Sequence, residues 1–189
     1  VYKRQVSTGA AALVMTADEE LISKADNPVK INATTMGSAI YGDPTIRISA
    51  LSCPSVAEAP MLSESYSASR QAYEKSGIGP EDIDVLELPD NSSWHYLVYL
   101  ETCGFCGEGE ADKMLRDGDT KIGGKLAVNP SGGFSSHGEA LSAQAIWQVI
   151  ECANQLRGRC GERQVQGAKV AMAQTYGLMG NSGTTIMTI

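Results

Sequence analysis

From Glu139 to Arg157 the chain runs nineteen residues, EALSAQAIWQVIECANQLR, with neither glycine nor proline. It enters that run from KLAVN (125–129) through the loop PSGG. Ile146, Val149, Ile150, Ala153 and Leu156 recur at three- and four-residue steps, which predicts a helix over 139–157 with one apolar stripe. Such a stripe must be covered, at roughly 1.5–3 kcal/mol per large side chain buried. Ala140, Ala143 and Ala145 keep the first turns slim, so another backbone can come close. A short strand, a glycine loop and a long amphipathic helix therefore call for a layered α/β domain.

The start of this helix has two readings. In one, Ser136-x-x-Glu139 is a capping box, and Glu139 complements the helix dipole. In the other, the strand delivers a Gly132-Gly133 loop to the helix start, where loops after strands place ligand-binding groups, and Glu139 faces a cleft.

The rest of the chain supplies the layers. GAAALVMT (9–16) reads as a buried strand, ADEELISKA (17–25) as a helix, and VKINATT (29–35) as a strand. Residues 36–64 show no clear period and read as a long loop. SASRQAYEKSG (67–77) is a helix ended by Gly77, VLEL (85–88) a strand, WHYLVYLETCG (94–104) a helix and EADKMLRDG (110–118) a short polar helix. AKVAMAQTYG (168–177) and GTTIMTI (183–189) are closing strands. This order predicts helices on a mixed sheet.

Composition excludes several functions. The net charge of −7, without a basic run, argues against nucleic acid or an anionic membrane as partner. No apolar run is long enough to span a membrane. The five cysteines (Cys53, Cys103, Cys106, Cys152 and Cys160) are odd in number and no signal peptide is visible, so reduced thiols and a cytoplasmic location are expected. Cys103-x-x-Cys106 lacks the second pair that zinc would need, so no metal site is expected. Residues 1–5, VYKRQ, match the translation of a common sequencing adapter and are expected to be an artefact.

Four segments, in order, resemble the C-terminal half of thiolases, most closely the sterol-carrier or lipid-transfer type and, with it, acetyl-CoA acetyltransferases. VSTGAAALVMT resembles the family's D-G-A-A-A-L-V strand, and DIDVLELPDNSS stands where the family has D-x-D-x-x-E-L-H-D-x-F. NPSGGFSSHGEALSAQAIWQVIECANQLRG resembles N-P-S-G-G-x-x-x-x-G-H-P-x-G-A-T-G and the helix after it. RGRCGERQVQGAKVAMAQTYG resembles R-G-x-x-G-x-R-Q-V-x-G-A-K-V-A. The resemblance implies two similar mixed five-stranded sheets sharing a helical layer, of which this chain carries the C-terminal half. It implies a remnant of the first domain over 6–58 and the second domain over 59–189. It also implies an acyl-CoA substrate, with coenzyme A as carrier and no permanently bound cofactor, and a homodimer.

Three family side chains are exchanged. The family's GHP histidine aligns with Glu139, the H-D-x-F histidine with Pro89 (its aspartate is kept as Asp90), and a cysteine near the C-terminus with Tyr176. A charged carboxylate repels a developing oxyanion, so Glu139 suits a proton-transfer role instead. Glu139, His137, Asp90 and Tyr176 are the candidate catalytic residues. Gly132, Gly133, Gly177 and Gly180 are candidate positions for close approach of the thioester or its pantetheine arm. The domain bearing the nucleophilic cysteine is not among these residues, so the chain by itself is expected to lack thiolase activity. The implied activity of the whole protein is an acyltransferase of thiolase type. A retro-aldol lyase on steroid or lipid CoA esters, working with an OB-fold partner, is the alternative within enzymes. A catalytically silent acyl-CoA or lipid-binding subunit is the alternative outside them.

Overall fold

Five strands form one mixed sheet in the order β1-β5-β4-β2-β3. The structure, a computed structural model, describes residues 6–38, 63–177 and 180–189. The strands are β1 (Lys30–Ser38), β2 (Val85–Glu87), β3 (Ala127–Val128), β4 (Val170–Gly177) and β5 (Asn181–Thr188). The hairpin β4–β5 and the pair β1–β5 are antiparallel, whereas β2 lies parallel to both β3 and β4. Parallel neighbours need crossovers, and the helices supply them. They are α1 (Glu19–Lys24), α2 (Glu64–Ser76), α3 (Ser93–Thr102), α4 (Ala111–Asp117), α5 (Gly133–His137) and α6 (Ser142–Leu156). Among the described residues no helix is long and apolar enough to cross a membrane.

Strand alternation builds a core on each face of the sheet. Leu86, Met172 and Ile186 point to one side, where they meet Ala72, Leu88, Tyr99 and Leu100. Their neighbours Val85, Ala171, Ala173 and Met187 point to the other, where they meet Cys152 and Leu156 of α6. β1 lies before residue 59 in the chain, yet it pairs along its length with β5. The predicted loop over 36–64 falls almost wholly outside the described residues, as do residues 1–5 and Cys53.

Two sequence expectations fail. Residues 9–16 are not a strand: Val14 is 98% exposed, and the run has no sheet partner among the described residues. It runs beside α6 instead, with the Trp147 indole donating to the Ala10 carbonyl at 3.2 Å. An apolar run makes a strand only where an edge is offered to it.

The helix predicted over 139–157 starts late: α6 spans Ser142–Leu156, and residues 139–141 lie before it. Gly138 (φ 80°) ends α5, and Leu141 (φ 50°) turns the chain into α6. Ser136 lies inside α5, and α6 has no side-chain cap, so the capping box does not form. The connector is held as extended backbone because Ser7 N–H donates to the Glu139 carbonyl at 2.9 Å. The buried face of α6 overlaps the predicted stripe only in part, at Leu156 and at Val149, which packs beside it. Gln144, Gln148, Cys152, Gln155 and Leu156 face inward. Val149, Ile150 and Ala153 line an open groove of about 280 Å³ with Ala12–Met15.

One glycine sets the spacing of α2 on the sheet. A Cβ on Gly37 in β1 would collide with the Glu64 carbonyl oxygen at the start of α2. Gly37→Ala should therefore cost about 1–3 kcal/mol of stability, as overpacking does, measured by urea unfolding.

Candidate functional site

The parallel strands β2, β3 and β4 end at one edge of the sheet, and the candidate residues gather there. After β3, Asn129 adopts a left-handed conformation (φ 49°) and its side-chain oxygen accepts from Leu88 N–H at 2.8 Å. That turn sends Pro130-Ser131-Gly132-Gly133 back over the end of β2. Asp90 meets it there: its buried carboxylate accepts from Phe134 N–H at 2.6 Å, at the start of α5. A helix start leaves N–H groups without partners, and Asp90 satisfies one of them.

The glycines fit this arrangement. Gly132 (φ 94°) and Gly133 (φ 63°) hold backbone that side chains rarely adopt. The space a Cβ would need is taken by Ser136 at Gly132, by the Asp90 carboxylate at Gly133 and by Asn181 at Gly177. Gly180 (φ 74°) forms part of the β4–β5 turn. Packing within the chain thus accounts for the glycine at 132, 133 and 177.

Glu139 and Tyr176 come together. The Tyr176 hydroxyl, at the end of β4, donates to Glu139 Oε1 at 2.5 Å. It also accepts from the Asn91 amide at 2.7 Å. Burial first, then the hydrogen bond to Glu139, push the Tyr176 phenol far above its usual range, against a smaller opposing effect of Gln144. The phenol therefore keeps its proton and stands as a hydrogen-bond donor to the Glu139 carboxylate. Glu139 is half-buried, so the pair is reachable from outside.

His137 and Asp90 make none of these bonds. The His137 ring is exposed; its Nε2 lies 2.9 Å from the Ser131 carbonyl, and its centroid lies 6.1 Å from the Trp147 ring. Asp90 holds α5 from inside.

Sequence reasoning passed over three polar side chains. Asn91 completes the Tyr176 cluster, and its only signal was its place beside Asp90. Gln144 lies on the inward face of α6, where an apolar stripe was expected. Glu87 is a carboxyl inside the apolar run VLEL, and such a residue is almost never fully buried without a purpose. It is 3% exposed, and burial raises its pKa to about 8 despite opposing hydrogen bonds from Ser131.

The four described cysteines stand elsewhere and are poor thiolates. Burial, the main cause in each, raises Cys103 to about 12, Cys106 to about 11 and Cys160 to about 11, and raises Cys152 as well. A reactive cysteine needs the opposite shift.

Comparison with known proteins places this geometry. Residues 52–188 match the thiolase C-terminal domain-like family. Sterol carrier protein 2 of Rattus norvegicus is 46% identical over 119 residues, covering 63% of this chain and 22% of that protein. Acetyl-CoA acetyltransferase of Methanothermobacter thermautotrophicus is 32% identical over 184 residues, covering 97% of this chain and 45% of that protein. A solved structure, the Ltp2-ChsH2(DUF35) aldolase, superposes with a TM-score of 0.67 at 25% identity, over 85% of this chain and 39% of that one. The chain thus spans less than half the length of the proteins it is similar to.

Proposed function

The chain belongs to the thiolase C-terminal domain-like family, and on that premise we propose that it is part of an enzyme that makes or breaks a carbon–carbon bond beside a coenzyme A thioester, working in the retro-aldol sense. The observation that carries this reading is the hydrogen bond from Tyr176 to Glu139. A thioester with a hydroxyl on its β-carbon must lose the hydroxyl proton as the Cα–Cβ bond breaks. The Tyr176 oxygen takes that proton while its own passes to Glu139. The products are a ketone or aldehyde and the thioester enolate, and return of the proton to the enolate carbon closes the balance. The Asn91 amide, bonded to the phenol oxygen, supports negative charge on it during transfer.

Acyl transfer of the thiolase type is less well supported by these residues, because Tyr176 stands where the family has its cysteine near the C-terminus. It is kept as the second reading because the acetyl-CoA acetyltransferase relative spans 97% of the chain. Coenzyme A is the carrier in both readings. A homodimer, and a second protein with an OB-fold, complete the proposal; the aldolase's own two-part name supports such a partner.

The test offers the full-length protein, with and without its partner, two substrates: a β-hydroxyacyl-CoA with a branched lipid side chain, and acetoacetyl-CoA with free coenzyme A. Cleavage of the first without thiolysis of the second is expected. Thiolysis alone replaces the retro-aldol reading with acyl transfer. Tight acyl-CoA binding without turnover of either leaves a binding subunit.

A further inference from the structure

Glu87 and Asp90 lie three residues apart at the end of β2, and each grips the loop after β3 at positions that are also three apart. Asp90 takes Phe134 N–H. Glu87 takes Ser131 twice: Oε1 accepts from Ser131 N–H at 3.1 Å, and Oε2 from Ser131 Oγ at 2.8 Å. Ser131 is the hub of that loop. Its Oγ accepts from Gly133 N–H at 3.0 Å, and its carbonyl lies 2.9 Å from His137 Nε2. Gly138 N–H then closes the knot on the Phe134 carbonyl. Glu139 is the next residue.

We propose that Glu87 is a positioning residue: from inside the protein its carboxyl fixes Ser131, and through the 131–138 knot it sets where Glu139 meets Tyr176. This rests on the reading of Tyr176 and Glu139 as the proton-handling pair. The chemistry argues against simple filler. A buried carboxyl costs free energy that an amide or a branched apolar side chain would avoid. The carboxyl is also poised to change state. Burial is the main cause of its rise to about 8, with the Asp90 and Glu151 carboxylates adding to it and the two Ser131 bonds opposing it. The other groups facing it are Cys152 on α6, and Cys160 and Arg163 beyond α6. The Arg163 cation is engaged by Glu151 at 2.5 Å, and among the described residues Glu87 has no ion-pair partner of its own. When Glu87 loses its proton, Ser131 Oγ must donate to it; when Glu87 is protonated, that bond can reverse. The knot therefore feels the ionisation.

The linkage sign follows. The folded value lies above the model-peptide value of 4.5, so the native state holds a proton that the unfolded chain releases. That contribution to stability is present below pH 4.5 and is lost as pH rises through about 8.

The experiment follows the His137 ring by NMR in the full-length protein across this range, with Glu87→Gln and Ser131→Ala, and measures kcat and KM against pH on the same samples. In the wild type the His137 signals should carry an inflection near pH 8. Glu87→Gln should abolish it. Ser131→Ala should move it to higher pH, because the hydroxyl bond that holds the value down is gone. His95, bonded to Ser92, should not change. The kcat profile of Glu87→Gln should lose its limb near pH 8 with KM unchanged. An inflection near pH 8 that survives Glu87→Gln, or none there in the wild type, overturns the proposal. Should Glu87→Gln fail to fold, an inflection unmoved in Ser131→Ala does the same. If the NMR response holds while kcat ignores Glu139 and Tyr176, the proton-transfer reading fails and the control of the loop by Glu87 stands.

Discussion

Glu139→Gln lowers kcat for the carbon–carbon step by roughly 10²–10⁴-fold, the usual contribution of a positioned proton-transfer group. The amide still reaches the Tyr176 hydroxyl, so the contact survives while the proton's destination is lost. Stability should barely move, because Glu139 is half-buried in an extended connector and caps no helix. Tyr176→Phe should match the rate loss, since the phenyl ring keeps the packing of the strand end and removes only the hydroxyl. Steady-state kinetics and thermal melts on the same preparations separate the two effects. A melt that collapses along with the rate would assign these side chains to structure.

The largest stability effect is expected at Leu86. It is fully buried in β2, an interior strand that pairs with β3 on one side and β4 on the other. Leu86→Ala removes a side chain that packs with Met172 and Ile186, and the hydrogen-bonded strands around it cannot collapse onto the space. The cost should be about 2–5 kcal/mol in urea unfolding. Ile150→Ala, on the α6 face that lines the groove, should cost about 1 kcal/mol. Equal costs at the two positions would mean that the groove is filled in solution.

Much of the sheet was legible because short-range signals specify it. VLEL, KLAVN and AKVAMAQTYG carry their own apolar patterns, and Gly77 and Ser92 mark helix ends by local chemistry. The family resemblance put Glu139 and Tyr176 among the cleft candidates, but the hydrogen bond between them, thirty-seven residues apart, was not foreseen. What escaped depends on long-range contacts. The start of α6 at Ser142 instead of Glu139 goes with a bond from Ser7, more than a hundred residues earlier, to the Glu139 carbonyl. Without that contact, a stretch free of glycine and proline reads as continuous helix. The inward glutamines of α6 were hidden because an apolar stripe normally marks the buried face, and here part of that stripe faces the segment 12–15. Residues 9–16 read as a strand for the same reason: composition gives a preference, and a missing edge overrides it.

On the proposed reading Glu139 and Tyr176 act as one proton-handling unit, and a double-mutant cycle decides whether they do. The measurement is kcat/KM of the full-length protein, with its partner and a cleavable β-hydroxyacyl-CoA, for wild type, Glu139→Gln, Tyr176→Phe and the double variant. Two groups that act in one step are grossly non-additive, so the double variant should be about as slow as either single one. If instead the two losses multiply, the residues act independently and the pair is not the unit described.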